Sequence, residues 1–111
     1  MKMSATKCFN EHRISKTNMD IDKVISALNS ELRRKILKII SQHPMSVMEV
    51  LEELRKQGLN VKYRETVYRA LEKLFNAGLV DKCYIKEKGV CYKLTVNRVT
   101  IDVIKGTIEE V

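Results

Sequence analysis

The chain has 111 residues, 44% of them apolar, which suffices for one compact core and leaves nothing for a second. Lysine and arginine outnumber aspartate and glutamate 21 to 14, a formal charge of +7, so polyanions are the first candidate partners. No apolar run approaches the roughly 20 residues of a membrane span, the start lacks the apolar segment of a secretion signal, and three cysteines are too few and odd in number for a secreted disulfide scaffold; a cytoplasmic protein without membrane contact is expected.

Residues 1–18 are polar, mildly basic and without periodicity, and read as a flexible N-terminal arm. Residues 19–96 carry the signals of a folded domain. Ile21, Val24, Ile25 and Leu28 repeat at helical spacing, with Asp20 placed to cap the first turn. Asn29-Ser30 breaks this helix, and Ser30 can cap a second from Glu31 to about Ser41, with Leu32, Ile36, Ile39 and Ile40 inward. Pro44 ends it, because proline lacks an amide hydrogen and pushes His43 out of helical geometry. Ser46-Val47-Met48-Glu49 has the Ser-x-x-Glu form of a capping box, and Val47, Val50, Leu51 and Leu54 supply the buried face of a third helix before Gly58.

After the short turn Gly58-Leu59-Asn60-Val61, a fourth helix is predicted. Val67, Leu71, Leu74 and Ala77 form one apolar stripe at helical period, while Lys62, Glu65, Thr66, Arg69 and Lys73 project away from it. Gly78 stands at the position where a left-handed residue ends such helices. Helix, glycine turn and second helix with a basic outer face match a helix-turn-helix, and the fourth helix reads as a recognition helix for double-stranded DNA.

The period then changes from 3.6 to 2. Val80, Lys82, Tyr84 and Lys86 alternate with Asp81, Cys83, Ile85 and Glu87, a turn follows at Glu87-Lys88-Gly89, and Val90 to Thr95 returns as the second strand. A hairpin placed there is a wing, with its tip Lys86-Glu87-Lys88-Gly89 against the DNA backbone. Cys83 and Cys91 lie on its two strands and share a face; they form a candidate redox pair if the register makes them neighbours, and otherwise are two small buried residues.

In residues 97–111, Ile101, Ile104, Ile108 and Val111 fall at coiled-coil spacing and predict a C-terminal helix. A strand is the alternative, because β-branched residues dominate and Gly106 weakens a helix by about 1 kcal/mol relative to alanine. An apolar stripe at the end of a complete small domain needs a partner, and the same segment of a second subunit is the expected one, with packing back on the protein's own first helix as the alternative and both able to hold at once. The expected fold is mainly α with a small β-hairpin, a winged helix-turn-helix in the order α-α-α-α-β-β-α.

Several stretches in order resemble ArsR-like winged-helix regulators: Ala27 to Leu37, Ser46 to Leu51, Thr66 to Leu71, Ala77 to Val80 and Tyr92 to Thr95. Thr66-Val67-Tyr68-Arg69 is also similar to the recognition helix of the ferric-uptake-regulator family, and that resemblance implies DNA contacts by Tyr68 and Arg69. The family adds a metal-binding dimerisation domain for which no room is seen after Thr95. The cysteine pair that metal-sensing ArsR relatives carry before the recognition helix is missing from Val47 to Gln57.

Affinity for DNA is expected to come mainly from lysine and arginine neutralising phosphates, with base-edge contacts adding selectivity. Arg64 and Arg69 can bind guanine or phosphate through two hydrogen bonds, Thr66 and Tyr68 can donate hydroxyls, and Lys62, Lys73, Lys86 and Lys88 act as point charges. Ordinary solvated charges are the alternative reading. Cys8, His12 and His43 are isolated, so no metal site and no cofactor are expected. There is no Gly-rich phosphate loop and no nucleophile with a nearby base, which excludes an enzyme. The expected partners are double-stranded DNA and a second copy of the chain, with no small-molecule effector identifiable. A weakly specific DNA-coating protein and a winged-helix module for protein contacts are the competing functions.

Overall fold

A computed structural model describes the side chains of residues 19–109 and the backbone alone at residues 6–8 and 110. Its elements run β1 (Thr6–Cys8), α1 (Ile21–Leu28), α2 (Glu31–Ile40), α3 (Val47–Lys56), α4 (Arg64–Asn76), β2 (Val80–Ile85), β3 (Gly89–Leu94), β4 (Val99–Asp102) and β5 (Thr107–Glu110).

Local chemistry sets the helix starts. The Asp20 carboxylate accepts the amides of Asp22 and Lys23 at 2.9 and 3.3 Å, and the Ser30 hydroxyl accepts that of Arg33 at 3.2 Å. At α3 the capping box is complete, with the Glu49 amide donating to Ser46 Oγ and the Ser46 amide to Glu49 Oε1. The inward stripes meet in one core that includes Val24, Ile36, Ile40, Val50, Leu54, Val67, Leu71 and Leu74. Ile25 departs from its predicted stripe and is exposed, Ala27 taking the buried place on α1.

Strands β2 and β3 form the antiparallel wing with Cys83 opposite Cys91. Met45, between α2 and α3, bridges to Tyr92 through hydrogen bonds of 3.0 and 2.8 Å, which fixes β3 to the helical layer. The expected arm over 1–18 lies outside the described residues except at Thr6–Cys8, whose backbone pairs with β2 and gives the sheet order β1-β2-β3.

The predicted C-terminal helix is corrected: residues 99–110 form the antiparallel hairpin β4–β5. Asp102 decides the turn, its carboxylate accepting the amides of Ile104 and Lys105 at 3.1 and 3.0 Å and its carbonyl that of Gly106 at 2.8 Å. Gly106 completes it at φ +70°, where a β-branched residue is strained. The helical stripe is thereby divided. Ile108 is 1% exposed and belongs to the core, while Ile104 is 96% exposed at the tip and Ile101 stands half exposed on β4. Val111 lies outside the described residues.

Candidate nucleic-acid interface

The side of α4 away from the core carries Arg64, Glu65, Thr66, Tyr68, Arg69 and Lys73, all exposed, because Val67, Ala70, Leu71 and Leu74 take the inward positions. Lys62 and Tyr63 are exposed but precede the helix. Arg55 holds them out of it: its Nε and Nη2 donate to the carbonyls of Val61 and Lys62, both at 3.0 Å. Tyr63 stays extended at φ −114°, ψ 134°, and offers no side-chain cap.

Five of the eight predicted DNA-binding residues line two hollows that share Tyr68. Towards the wing, Arg64, Tyr68 and Lys88 line a cleft of about 630 Å³ together with Ser46, Met48, Lys82 and Tyr92. Towards α1, Tyr68, Arg69 and Lys73 line a groove of about 550 Å³ with Lys23 and Ser26. Lys62, Thr66 and Lys86 line neither, but are exposed. Recognition helix, wing and the start of α3 thus open onto the cleft, while recognition helix and α1 open onto the groove, which Asp22 and Glu72 also line.

Two of the expected cations are already held by carboxylates. Lys88 Nζ lies 3.0 Å from Glu49 Oε2, and Arg69 Nε lies 3.2 Å from Glu65 Oε2. The second pair is well exposed, so a phosphate can displace Glu65 at little cost. Burial alone would raise the Glu49 pKa, but the Ser46 amide and Lys88 outweigh it and hold the carboxyl below its ordinary range.

A partly buried cluster that the residue order did not announce joins the walls of these hollows, Lys82 and Tyr92 lining the cleft and Glu72 the groove. Glu72 Oε2 accepts the Tyr92 hydroxyl at 2.6 Å and lies 2.8 Å from Lys82 Nζ. Burial works to raise the Glu72 pKa, and the hydrogen bonds from Lys82 and Tyr92 overcome it, leaving the carboxyl below its usual value. Burial first, then the Glu72 carboxylate, pushes the Tyr92 phenol well above its usual value. The register sets Lys82 opposite Tyr92, and nothing in residue order says that both reach a carboxylate on α4.

Cys83 and Cys91 are direct partners in the register and both 0% exposed. Burial raises the Cys91 pKa, with Glu49 adding to the effect, which disfavours the thiolate.

The ferric uptake regulator family model matches residues 26–110. An uncharacterized Methanocaldococcus jannaschii protein, MJ1082, is 33% identical over 91 residues, covering 82% of this chain and 70% of that one. Among solved structures, an ArsR-like transcriptional regulator from Rhodococcus sp. RHA1 is 24% identical with a TM-score of 0.55, covering 68% of this chain and 65% of that one. The Francisella tularensis ferric uptake regulator with iron is 26% identical with a TM-score of 0.52, covering 74% of this chain and 66% of that one. The chain therefore spans just under two thirds of the length of these two regulators.

Proposed function

The chain belongs to the ferric uptake regulator family, a family of DNA-binding transcription regulators and not of enzymes, and we propose that it binds double-stranded DNA at preferred sequences as a homodimer. The observation that carries this reading is the cleft in which Arg64 and Tyr68 of α4 face Lys82 and Lys88 of the wing. A helix in the major groove and a hairpin on the adjoining phosphates need that relative placement. Arg69 and Arg64 read guanine or clamp phosphate, Thr66 and Tyr68 donate hydroxyls, and Lys62, Lys73, Lys86 and Lys88 neutralise phosphates.

One winged domain buries only about 600 to 1,000 Å² on DNA, which favours pairing of two. The β4–β5 tip supports a self-contact, since Ile101, Val103 and Ile104 are presented to solvent by a turn that Asp102 and Gly106 fix. A twofold dimer sets its recognition helices about one DNA turn apart, roughly 34 Å, so the preferred site is an inverted repeat. Selection of binding sites from random duplexes tests both points: a palindromic consensus is the expected result, and a sequence-independent, strongly salt-sensitive affinity would instead mark a coating protein.

The family removes the ground for expecting no effector, because its name and the iron-bound Francisella structure tie relatives to metal ions. Among the described residues no group of three or more His, Cys, Asp or Glu is arranged to hold a metal ion. The described part therefore does not fit a resident metal, and no step of DNA binding is routed through one.

A further inference from the structure

Glu72 gathers two donors from neighbouring strands onto one oxygen. The Lys82 ammonium and the Tyr92 hydroxyl both meet Oε2, at 2.8 and 2.6 Å, and the two residues are direct partners in the β2–β3 register. One carboxylate of the recognition helix thus ties both strands of the wing. The Lys82 ammonium also lies 4.5 Å from the Phe75 ring centre, a second link to α4, and 5.9 Å from that of Tyr92. The Lys82 and Glu72 side chains are only 23% and 22% exposed.

Charges this sheltered stabilise poorly, since apolar residues of similar volume pack without the cost of desolvation. A hydrogen-bonded polar cluster supplies one geometry instead, because hydrogen bonds have a preferred length and direction where methyl contacts slide. Other links hold the wing as well: at the base Thr95 bonds the carbonyls of Gly78 and Leu79, both at 3.1 Å, Met45 holds the backbone of Tyr92 on the same rung as the joint, and near the tip Lys88 meets Glu49. The Glu72 joint connects the middle of the hairpin to the helix that carries Arg64, Tyr68 and Arg69.

We propose that Glu72 is a positioning residue which, through Lys82 and Tyr92, sets the angle of the wing to α4 so that Lys86 and the exposed side of the helix reach one duplex together. This rests on the DNA-binding reading above and adds the device that aligns its two halves. Glu72 lines the α1-side groove beside Tyr68, Arg69 and Lys73, and its Oε2 is engaged by the wing.

The test measures affinity for a mixed-sequence duplex as a function of salt, for Glu72→Gln and Tyr92→Phe, each alone and combined with Lys86→Ala. Both single variants keep the strand pairing and the Met45 bridge, so cooperative unfolding is retained. Each lowers the slope of log affinity against log salt by about 0.9 for every phosphate that the wing no longer neutralises. Lys86→Ala lowers the slope in the parent protein and changes nothing further in either variant. An equal Lys86→Ala effect in parent and both variants overturns the positioning role while leaving DNA binding intact. A parent slope indifferent to Lys86→Ala removes the wing from the DNA, and the positioning role falls with it.

Discussion

Lys88 at the tip of the wing and Glu49 at the start of α3 meet at 3.0 Å. Glu49 simultaneously completes the α3 capping box, so one carboxylate serves the helix terminus and the hairpin. Glu49→Gln weakens the ion pair and takes a negative charge from the cleft. Lower thermal stability together with tighter binding to mixed-sequence DNA is expected, from a melting curve and a titration at fixed salt; weaker DNA binding would mean that Glu49 orients Lys88 for phosphate instead of competing for it. Ser46→Ala, which removes only the cap, costs about 1 kcal/mol.

Both Glu49 and Glu72 have folded-state pKa values below their unfolded ones. Such carboxylates contribute stability that is present above the unfolded pKa and is lost as pH falls through the folded one. Stability is therefore expected to decline on acidification below the ordinary glutamate range, and Glu72→Gln to flatten that decline. Denaturant midpoints across a pH series check this, and an unchanged acid limb in the variant would contradict it.

Arg69 and Lys73 stand one helical turn apart on the exposed side of α4 and should fail differently. Arg69→Ala removes a two-pronged donor, costs roughly 1–3 kcal/mol at a cognate site and relaxes the preference at one base position. Lys73→Ala weakens all sequences alike and lowers the salt slope by about 0.9. Site selection repeated with each variant separates the two roles.

Val103 and Ile104, 86% and 96% exposed, can be replaced without disturbing the core. Changing both to aspartate shifts stability by no more than about 0.5 kcal/mol but is expected to turn a dimer into a monomer in sedimentation. A parent protein that sediments as a monomer at all concentrations would refute self-contact through this hairpin.

Cys83 and Cys91 oppose each other in the register, the arrangement a redox pair requires, yet both are fully buried. Slow labelling of Cys91 by thiol reagents in the native protein and fast labelling in denaturant are expected. Rapid native labelling, or a bridge that forms readily with mild disulfide oxidants, would instead favour a redox role.

The four helices, their caps and the wing are legible in residue order because each depends on neighbours within a few positions. Asp20, Ser30 and the Ser46–Glu49 box mark starts, Gly58 and Gly78 mark ends, and the apolar stripes repeat at the helical period. The C-terminal segment misled for the same reason. Ile101, Ile104 and Ile108 fit a helical stripe, but the Asp102–Gly106 turn and the burial of Ile108 in the core favour two strands, and only packing reveals the second of these. The pairing of Cys83 with Cys91 and the meeting of Glu72 with Lys82 and Tyr92 likewise follow from register and from the docking of hairpin on helix. Those residues are distant from one another in the chain, and no local propensity encodes their meeting.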